Sequence, residues 1–251
     1  MKRRLIFTVD VDRDVNIQLE GREAAGSLDR GSGTDPRFSS SAEGIRLLVD
    51  LLDDLNIRAT FFIEGRTAEM TDCSILSGHC IGFHGYDHED LTKLSYIHSV
   101  MRRGYDAVRD KISAPTCFRA PYMTVSDSVF EELRTLGIAH DSSVYCGIDS
   151  ESYDIGGITE HPVAKGKDAA GKTIAAYLWP MHEGKRKPRD YIELADSLEG
   201  DMVLSTHSWH IVEKREGGHM SDDEIDRNLS NIRKVLEGII DLGFGPGTIS
   251  G

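Results

Sequence analysis

The stretch from Leu5 to Asp12 has the sequence LIFTVDVD, in which a short apolar run ends in two aspartates, Asp10 and Asp12. An apolar run of this length predicts a buried strand. Carboxylates that end a strand near the start of a chain are typical of the first strand of a parallel sheet or barrel, where reactive groups collect. The stretch therefore predicts an α/β fold and the end of the sheet at which a site would lie.

Strand and helix patterns alternate along the rest of the chain, which favours a parallel sheet. Apolar runs predict strands at residues 59–63, 80–83, 116–119, 138–141, 173–178 and 202–206, with a last strand at 248–249. Helices are predicted at 42–55, 92–113, 126–136, 191–198 and 222–242, the first of them capped by a serine within 39–41. Residues 145–172 show neither period and are expected to be irregular. No repeat or linker interrupts the pattern, so we expect one domain over residues 1–251.

Residues 13–40 are predicted to form a long loop, because they are rich in Gly, Ser, Asp and Arg and show no period. Loops of this length inside a domain are uncommon and often cover a functional site. Disorder explains the same composition equally well, so both interpretations stay open.

The composition excludes several classes of partner. The 251 residues carry a net charge of −13, which argues against nucleic acid or an anionic membrane as the main partner. The four cysteines form no C-x-x-C pair and are expected to be free thiols of a reducing compartment. No signal peptide or membrane span is evident, so we expect a cytoplasmic location. A homo-oligomer stays open.

Asp10 and Asp12 are candidates for chemistry, because an extended strand places residues two apart on one face. Two carboxylates in one space repel each other unless a cation or a proton separates them. A metal ion on one aspartate, with the other left as a base, resolves this conflict. Aspartates at strand ends are also common on ordinary surfaces, so the pair alone is not specific.

His84 and His88 supply the complement to such a ligand. They follow the run 80–83 and are four residues apart, a spacing at which both rings can meet one ion. Two imidazoles and one carboxylate make a divalent-metal site with open positions for a reactive water. The chain has ten histidines, so chance pairs are frequent and the position after a strand gives this pair its weight.

Two further segments follow predicted strands. In the stretch 119–122 (RAPY), Arg119 can hold a carboxylate by paired hydrogen bonds, and the proline turn can present a backbone N–H to an oxyanion. His207 follows the run 202–206 and is placed to give a proton to a leaving group. A plain turn with an exposed arginine and a structural histidine are the alternatives.

Together these segments resemble the motif set of the polysaccharide deacetylase family, whose catalytic unit is the NodB homology domain. The aspartate pair, the histidine pair with Gly85 in place of Ser or Thr, and the RAPY stretch stand in the family's order. Residues 59–63 (ATFFI), 141–143 (DSS) and 204–207 (LSTH) are similar to three further family segments. The resemblance runs from about residue 4 to about residue 250.

The resemblance implies a metal centre with a base beside it. Asp12, His84 and His88 would bind one divalent ion, expected to be zinc, with cobalt and nickel as alternatives. Asp10 would be the base that activates the attacking water, and Arg119 would orient Asp10.

The resemblance also implies residues that handle the substrate. Tyr122 would give a backbone N–H to the oxyanion and contact the substrate. His207 would protonate the leaving amine, and Trp209 and His210 would help to bind the substrate. Whether Asp141 or Asp149 tunes His207 stays open.

The fold implied is an irregular (β/α) barrel of the NodB type, and the implied function is metal-dependent removal of an acetyl group from an N-acetylated sugar or polysaccharide. The Asp-x-Asp spacing and the lack of an evident tryptophan-bearing motif are more similar to intracellular members that act on small amides. The alternatives are hydrolysis of another carbon–nitrogen bond, in a formamide, a cyclic amide or a small N-acyl metabolite, and a non-catalytic carbohydrate-binding relative.

Overall fold

The structure is a computed structural model that describes residues 3–14, 36–149, 151–214 and 218–251. The strands are β1 (Arg4–Val11), β2 (Thr60–Ile63), β3 (Cys80–Phe83), β4 (Cys117–Phe118), β5 (His140–Asp141), β6 (Tyr145–Cys146), β7 (Tyr153–Asp154), β8 (Thr159–Glu160), β9 (Val163–Lys167), β10 (Thr173–Ala175), β11 (Met202–His207) and β12 (Gly245–Gly247). The main sheet has the order β11-β1-β2-β3-β4-β5-β8-β7, and β12 also pairs with β1. Its neighbours are parallel except β7 and β8, while β6, β9 and β10 form a small second sheet. This curled, open sheet confirms the predicted irregular (β/α) barrel.

The strand β1 lies inside the sheet and is buried along its length. It pairs in parallel with β11 on one side and with β2 on the other. Every residue from Leu5 to Asp14 is buried. A strand covered on both faces is apolar throughout instead of alternating, which is why its run of apolar residues could be recognised in the sequence.

Seven helices cover the sheet in the described part of the chain: α1 (Ser39–Asp54), α2 (Gly65–Met70), α3 (Ile97–Lys111), α4 (Asp127–Leu136), α5 (Trp179–His182), α6 (Pro188–Asp196) and α7 (Asp222–Asp241). Each of the longer helices buries one apolar face. In α7 that face includes Ile232, Val235, Leu236 and Ile239. A capping box between Ser221 and Glu224 begins this helix, and α4 ends at the left-handed Gly137.

The start of α1 is capped by a residue from the β1 segment. The backbone N–H groups of Ser40 and Ser41 donate to the two carboxylate oxygens of Asp14 at 2.9 and 2.8 Å. A carboxylate at this position satisfies N–H groups that have no partner within the helix and stabilises the positive end of its dipole. The predicted serine cap is therefore wrong, because the serines lie inside the helix.

Other boundaries also differ from the prediction. Residues 145–172 are not irregular, since β6 to β9 lie there, held by pairing across distant segments. The helix predicted at 92–113 begins only at Ile97, after a separate 3₁₀ turn at Leu91–Lys93. The last strand is β12 and not 248–249, and α2 and α5 were not predicted. Residues 15–35 of the predicted loop lie outside the described residues.

Within the described ranges, no helix combines the length and the apolar character that crossing a bilayer requires. No disulfide links the four cysteines.

The packing of α1 against the segment after β11 gives a test of the fold. A Cβ atom on Gly44 would lie 1.9 Å from the backbone oxygen of Ser208, so α1 or the segment next to His207 would have to move. We expect Gly44→Ala to lower the free energy of unfolding by about 3 kcal/mol, measured by urea denaturation. Gly78→Ala is the control, because an added Cβ meets no atom there, and its effect should stay within about 0.5 kcal/mol. Equal stability of both variants would contradict this packing.

Candidate functional site

The predicted site residues come together at the C-terminal ends of neighbouring strands. Asp10 of β1 lies opposite His207 of β11 in the parallel register. Asp12 directly follows β1, His84 follows β3 and Arg119 follows β4. Parallel strands point their C-terminal ends the same way, so residues far apart in sequence share one space.

Asp12, His84 and His88 form the candidate metal centre. One ligand atom from each residue lies within 4.8 Å of the others, and all three residues are buried. The distance from His88 Nε2 to Asp12 Oδ2 is 3.5 Å, and the two imidazole centroids are 5.1 Å apart. In the part of the chain that the structure describes, this is the only such cluster of His, Cys, Asp and Glu.

The donor atoms of this centre fit a divalent ion. His84 Nδ1 lies 2.8 Å from the backbone oxygen of Arg119, so it donates its hydrogen there and leaves the lone pair of Nε2 for a metal. Both carboxylate oxygens of Asp12 and both ring nitrogens of His88 are buried without a hydrogen-bond partner. Buried polar atoms are normally satisfied, and a cation would satisfy these. This N and O donor set suits zinc, cobalt or nickel.

The electrostatics of the centre favour the same conclusion. Burial, and then the charges of Glu64 and Asp10, raise the pKa of Asp12 well above its ordinary value. Burial, and then the charge of His84, lower the pKa of His88 well below its ordinary value. Neutral imidazole is the form that binds metal, and a cation would stabilise Asp12 as the carboxylate.

The backbone around the centre is strained. His88, Tyr122 and Met123 have φ angles of +54°, +61° and +53°, in the left-handed region that residues other than glycine rarely adopt. The ring of Tyr122 packs edge-on against the ring of His88 with 4.7 Å between centroids. Tyr122 therefore contacts a candidate ligand, while its backbone role toward an oxyanion stays a prediction.

Asp10 is held as an ionised carboxylate. Its Oδ1 accepts a hydrogen bond from Arg119 Nη1 at 2.9 Å, and its Oδ2 accepts one from the hydroxyl of Tyr177. Burial alone would raise the pKa of Asp10, but the charges of Arg119, His84 and His207 together with the Tyr177 bond lower it below its ordinary value. This is the contact that an orienting role for Arg119 requires.

Arg119 is itself fixed by the DSS segment. Its Nε donates to the backbone oxygen of Ser142 and its Nη2 to the Ser142 hydroxyl, both at 2.8 Å. The Ser143 hydroxyl accepts from the N–H of Ala120 and donates to Asp141. The DSS segment therefore supports the guanidinium from behind, with Arg119 fully buried.

A buried carboxyl pair lies behind these serines. Glu160 Oε1 accepts hydrogen bonds from the backbone N–H groups of Ser143 and Val144, each at 3.1 Å. Burial, and then the charge of Asp141, raise the pKa of Glu160 to about 10. Glu160 therefore holds a proton at neutral pH. Asp141 is engaged with this group and Asp149 is exposed, so neither is placed to tune His207.

Ion pairs connect the neighbours of two metal ligands. Arg13, next to Asp12, donates from Nε to Glu64 at 2.7 Å and pairs through Nη2 with both Glu64 and Asp87, the neighbour of His88. The side chains of Arg13 and Glu64 are buried. Sequence patterns gave no signal for Glu64, whose role depends on a contact between distant segments.

His207 faces the metal centre as a neutral ring. Its Nε2 lies 3.2 Å from the Tyr177 hydroxyl and 3.9 Å from Asp12 Oδ2. Burial lowers the pKa of His207 to about 3, although the charge of Asp10 acts in the opposite direction. A role as proton donor therefore requires that the ring gain a proton during the reaction.

Trp209 and His210 lie close behind His207 and are buried. They are 0% and 1% exposed, and their rings stack with 4.5 Å between centroids. Trp209 also packs against the ring of His207, and His210 Nε2 pairs with Glu183 at 2.8 Å. Trp209 supports the ring of His207, and His210 packs on Trp209. Their contact with substrate stays a prediction.

Comparison with known proteins agrees with this geometry. The family model for polysaccharide deacetylases matches residues 28–140, a region that contains His84, His88, Arg119 and Tyr122. Over this region the chain is similar to polysaccharide deacetylases. Chitin deacetylase 1 of Cryptococcus neoformans is 30% identical over 127 residues, which are 45% of this chain and 27% of that protein. The peptidoglycan-N-acetylglucosamine deacetylase PgdA of Listeria monocytogenes is 32% identical over 106 residues, 39% of this chain and 22% of that protein.

These alignments span about a quarter of the length of the curated relatives. Solved structures extend the likeness to the whole chain. A Mycobacterium smegmatis protein described as a polysaccharide deacetylase has a TM-score of 0.66 at 20% identity, covering 99% of this chain and 88% of that one. A family 4 carbohydrate esterase of Streptomyces lividans has a TM-score of 0.56 at 15% identity, covering 98% and 93%. At these identities the likeness shows the polysaccharide deacetylase fold alone.

A pseudoenzyme of carbohydrate esterase family 4 from Bacillus anthracis also shares the fold, with a TM-score of 0.60 at 11% identity over 99% of this chain and 64% of that one. The fold of the polysaccharide deacetylases therefore does not by itself imply activity.

The buried carboxyl pair makes stability depend on pH. Because the pKa of Glu160 is raised to about 10 in the folded state, its contribution is complete below the unfolded value and is lost as the pH rises toward 10. We expect Glu160→Gln, which stays neutral, to lose less unfolding free energy than the wild type between pH 6 and pH 9, by up to about 1.4 kcal/mol per pH unit. Urea denaturation at several pH values measures this. The exposed Glu199→Gln should follow the wild type, and identical slopes for all three proteins would contradict the expectation.

Proposed function

We propose that the chain is a metal-dependent hydrolase that removes the acetyl group from an N-acetylated sugar or polysaccharide. The observation that carries the proposal is the buried set of Asp12, His84 and His88, in which Asp12 and His88 have unsatisfied ligand atoms. Beside this set lie an ionised Asp10 and a neutral His207. An ionised carboxylate next to a cation site and an imidazole across from it are the parts that amide hydrolysis needs.

Asp12, His84 and His88 would hold the ion, for which zinc is the expected identity. When bound, a divalent ion polarises an amide carbonyl and acidifies water. Asp10 takes the proton of the attacking water, and Arg119 keeps its carboxylate ionised and correctly turned. His207, which is neutral at rest, receives that proton in turn and delivers it to the nitrogen as the carbon–nitrogen bond breaks. The water loses one proton and the amine gains one, so Asp10 and His207 pass a single proton across the site.

Two alternative readings differ in substrate and in class. The same residues would hydrolyse a formamide, a cyclic amide or a small N-acyl metabolite, which suits the cytoplasmic location that stays a prediction. A non-catalytic carbohydrate-binding relative is the other alternative, and the B. anthracis protein is described as a pseudoenzyme of the same fold. The retention of Asp10 with its Arg119 pair beside three metal ligands favours an enzyme.

A substrate screen tests the proposal directly. We expect the zinc-loaded protein to release acetate from N-acetylglucosamine oligomers, measured by a coupled acetate assay, and to lose this activity on chelation. Formamides, cyclic amides and N-acetyl amino acids run beside them, with formate and amine as readouts. If the protein turned over only the small amides, the substrate class would be small amides and not N-acetylated sugars. Binding of the oligomers without turnover of any probe would favour the non-catalytic relative.

Two substitutions separate metal binding from base catalysis. We expect Asp12→Ala to lower zinc affinity at least about tenfold, because a ligand is lost. We expect Asp10→Asn to keep one zinc per chain and lower kcat at least about 100-fold, because the base is lost. Elemental analysis and acetate release measure the two effects. Asp53→Asn, at an exposed position on α1, should change neither. Full turnover in Asp10→Asn would exclude it as the base.

A further inference from the structure

Tyr177 lies between the two residues that handle the proton, and no motif pointed to it. Its hydroxyl hydrogen-bonds to Asp10 Oδ2 and lies 3.2 Å from His207 Nε2. Its ring also packs against the ring of His207, with 5.2 Å between centroids. The side chain is 6% exposed, so these contacts are shielded from water.

The direction of the two hydrogen bonds follows from the chemistry of the groups. Asp10 is ion-paired with Arg119, and its Oδ2 accepts the single hydrogen of the phenol. The phenol oxygen is then left as an acceptor, and His207 must donate to it from Nε2. This selects the tautomer of His207 with hydrogen on Nε2.

The backbone holds Tyr177 firmly in place. Tyr177 bridges Ser205 of β11, and the adjacent Leu178 N–H donates to the Ser205 oxygen at 2.8 Å. The hydroxyl of Tyr191, on α6, donates to the Tyr177 backbone oxygen at 3.0 Å. The phenol is therefore presented from a fixed strand edge and not from a loose loop.

We propose that Tyr177 is a positioning residue that couples Asp10 to His207, by donating to the carboxylate and accepting from Nε2 of the imidazole. It fixes the orientation of the base and holds Nε2 of His207 beside Asp10 and Asp12. The Nε2 hydrogen of the resting tautomer is held by the phenol, so the ring passes a proton to a leaving nitrogen only after it has gained a second one, while the phenol keeps its orientation fixed. This inference rests on the proposed function for its catalytic meaning, but its geometry can be tested without a substrate.

The tautomer is the first test. In zinc-loaded protein labelled with ¹⁵N-histidine, long-range ¹H–¹⁵N spectra distinguish hydrogen on Nε2 from hydrogen on Nδ1. We expect His207 to carry hydrogen on Nε2 in the wild type and to become a mixture of tautomers in Tyr177→Phe. Hydrogen on Nδ1 in the wild type, or an unchanged spectrum in the variant, would overturn the proposal. A protein that turns over no probe fails the proposed function and leaves this test intact.

The kinetic test compares two buried tyrosines that each lose one hydroxyl. We expect Tyr177→Phe to lower kcat at least tenfold, with KM and the zinc content within a factor of two of the wild type. Tyr191→Phe removes the bond to the Tyr177 backbone and should keep kcat within a factor of three while losing comparable thermal stability. Equal kcat losses in both variants would show a merely structural role and overturn the proposal, as would an unchanged kcat in Tyr177→Phe.

Discussion

The compensation of two buried carboxylates at the end of β1 governs this structure. Asp10 and Asp12 lie in one space that is closed to water, where an ionised carboxylate without a partner is strongly unfavourable. The chain supplies Asp10 with a full cation, Arg119, and with a phenol hydrogen from Tyr177. It supplies Asp12 with neutral histidines and no such cation at hydrogen-bond distance. This asymmetry supports the proposed division, in which Asp10 acts as the base and Asp12 as a ligand whose charge a cation would compensate.

The same constraint explains the layer behind the site. A buried guanidinium is costly unless its donors are used, and Ser142 and Thr8 accept hydrogen bonds from Arg119 in addition to Asp10. The serines are in turn held by Asp141 and Glu160, which tolerate each other only because a proton is retained on the pair. On the other flank, Arg13 is neutralised by Glu64 and Asp87. Each charge near the metal centre is thus fixed by a partner one step further from it.

The sequence was informative wherever a signal is local. The ends of β1, β3 and β11 could be placed because a short apolar run followed by a polar residue marks a buried strand. Asp14 as the cap of α1, Glu160 as the partner of Asp141 and Tyr177 as the bridge could not be placed, because each acts through a contact between distant segments. The two-residue strands between 145 and 160 were missed for the same reason, since pairing and not residue pattern holds them.

The contacts of the buried histidines distinguish the candidate metal ligands from the candidate proton donor. His84 and His88 are neutral, and His84 has its Nδ1 committed to the backbone of Arg119, which suits ligation. His207 is neutral as well, with a pKa lowered to about 3, so it differs from the ligands not in charge but in what holds it. Trp209 packs behind its ring, and Tyr177 fixes the nitrogen that faces the centre. Without Arg119 the carboxylate of Asp10 would lack its cation, and without Tyr177 it would lack the second hydrogen bond that orients it. The fold alone is therefore weak evidence for activity. The hydrogen bonds that Arg119 and Tyr177 donate to Asp10 are stronger evidence.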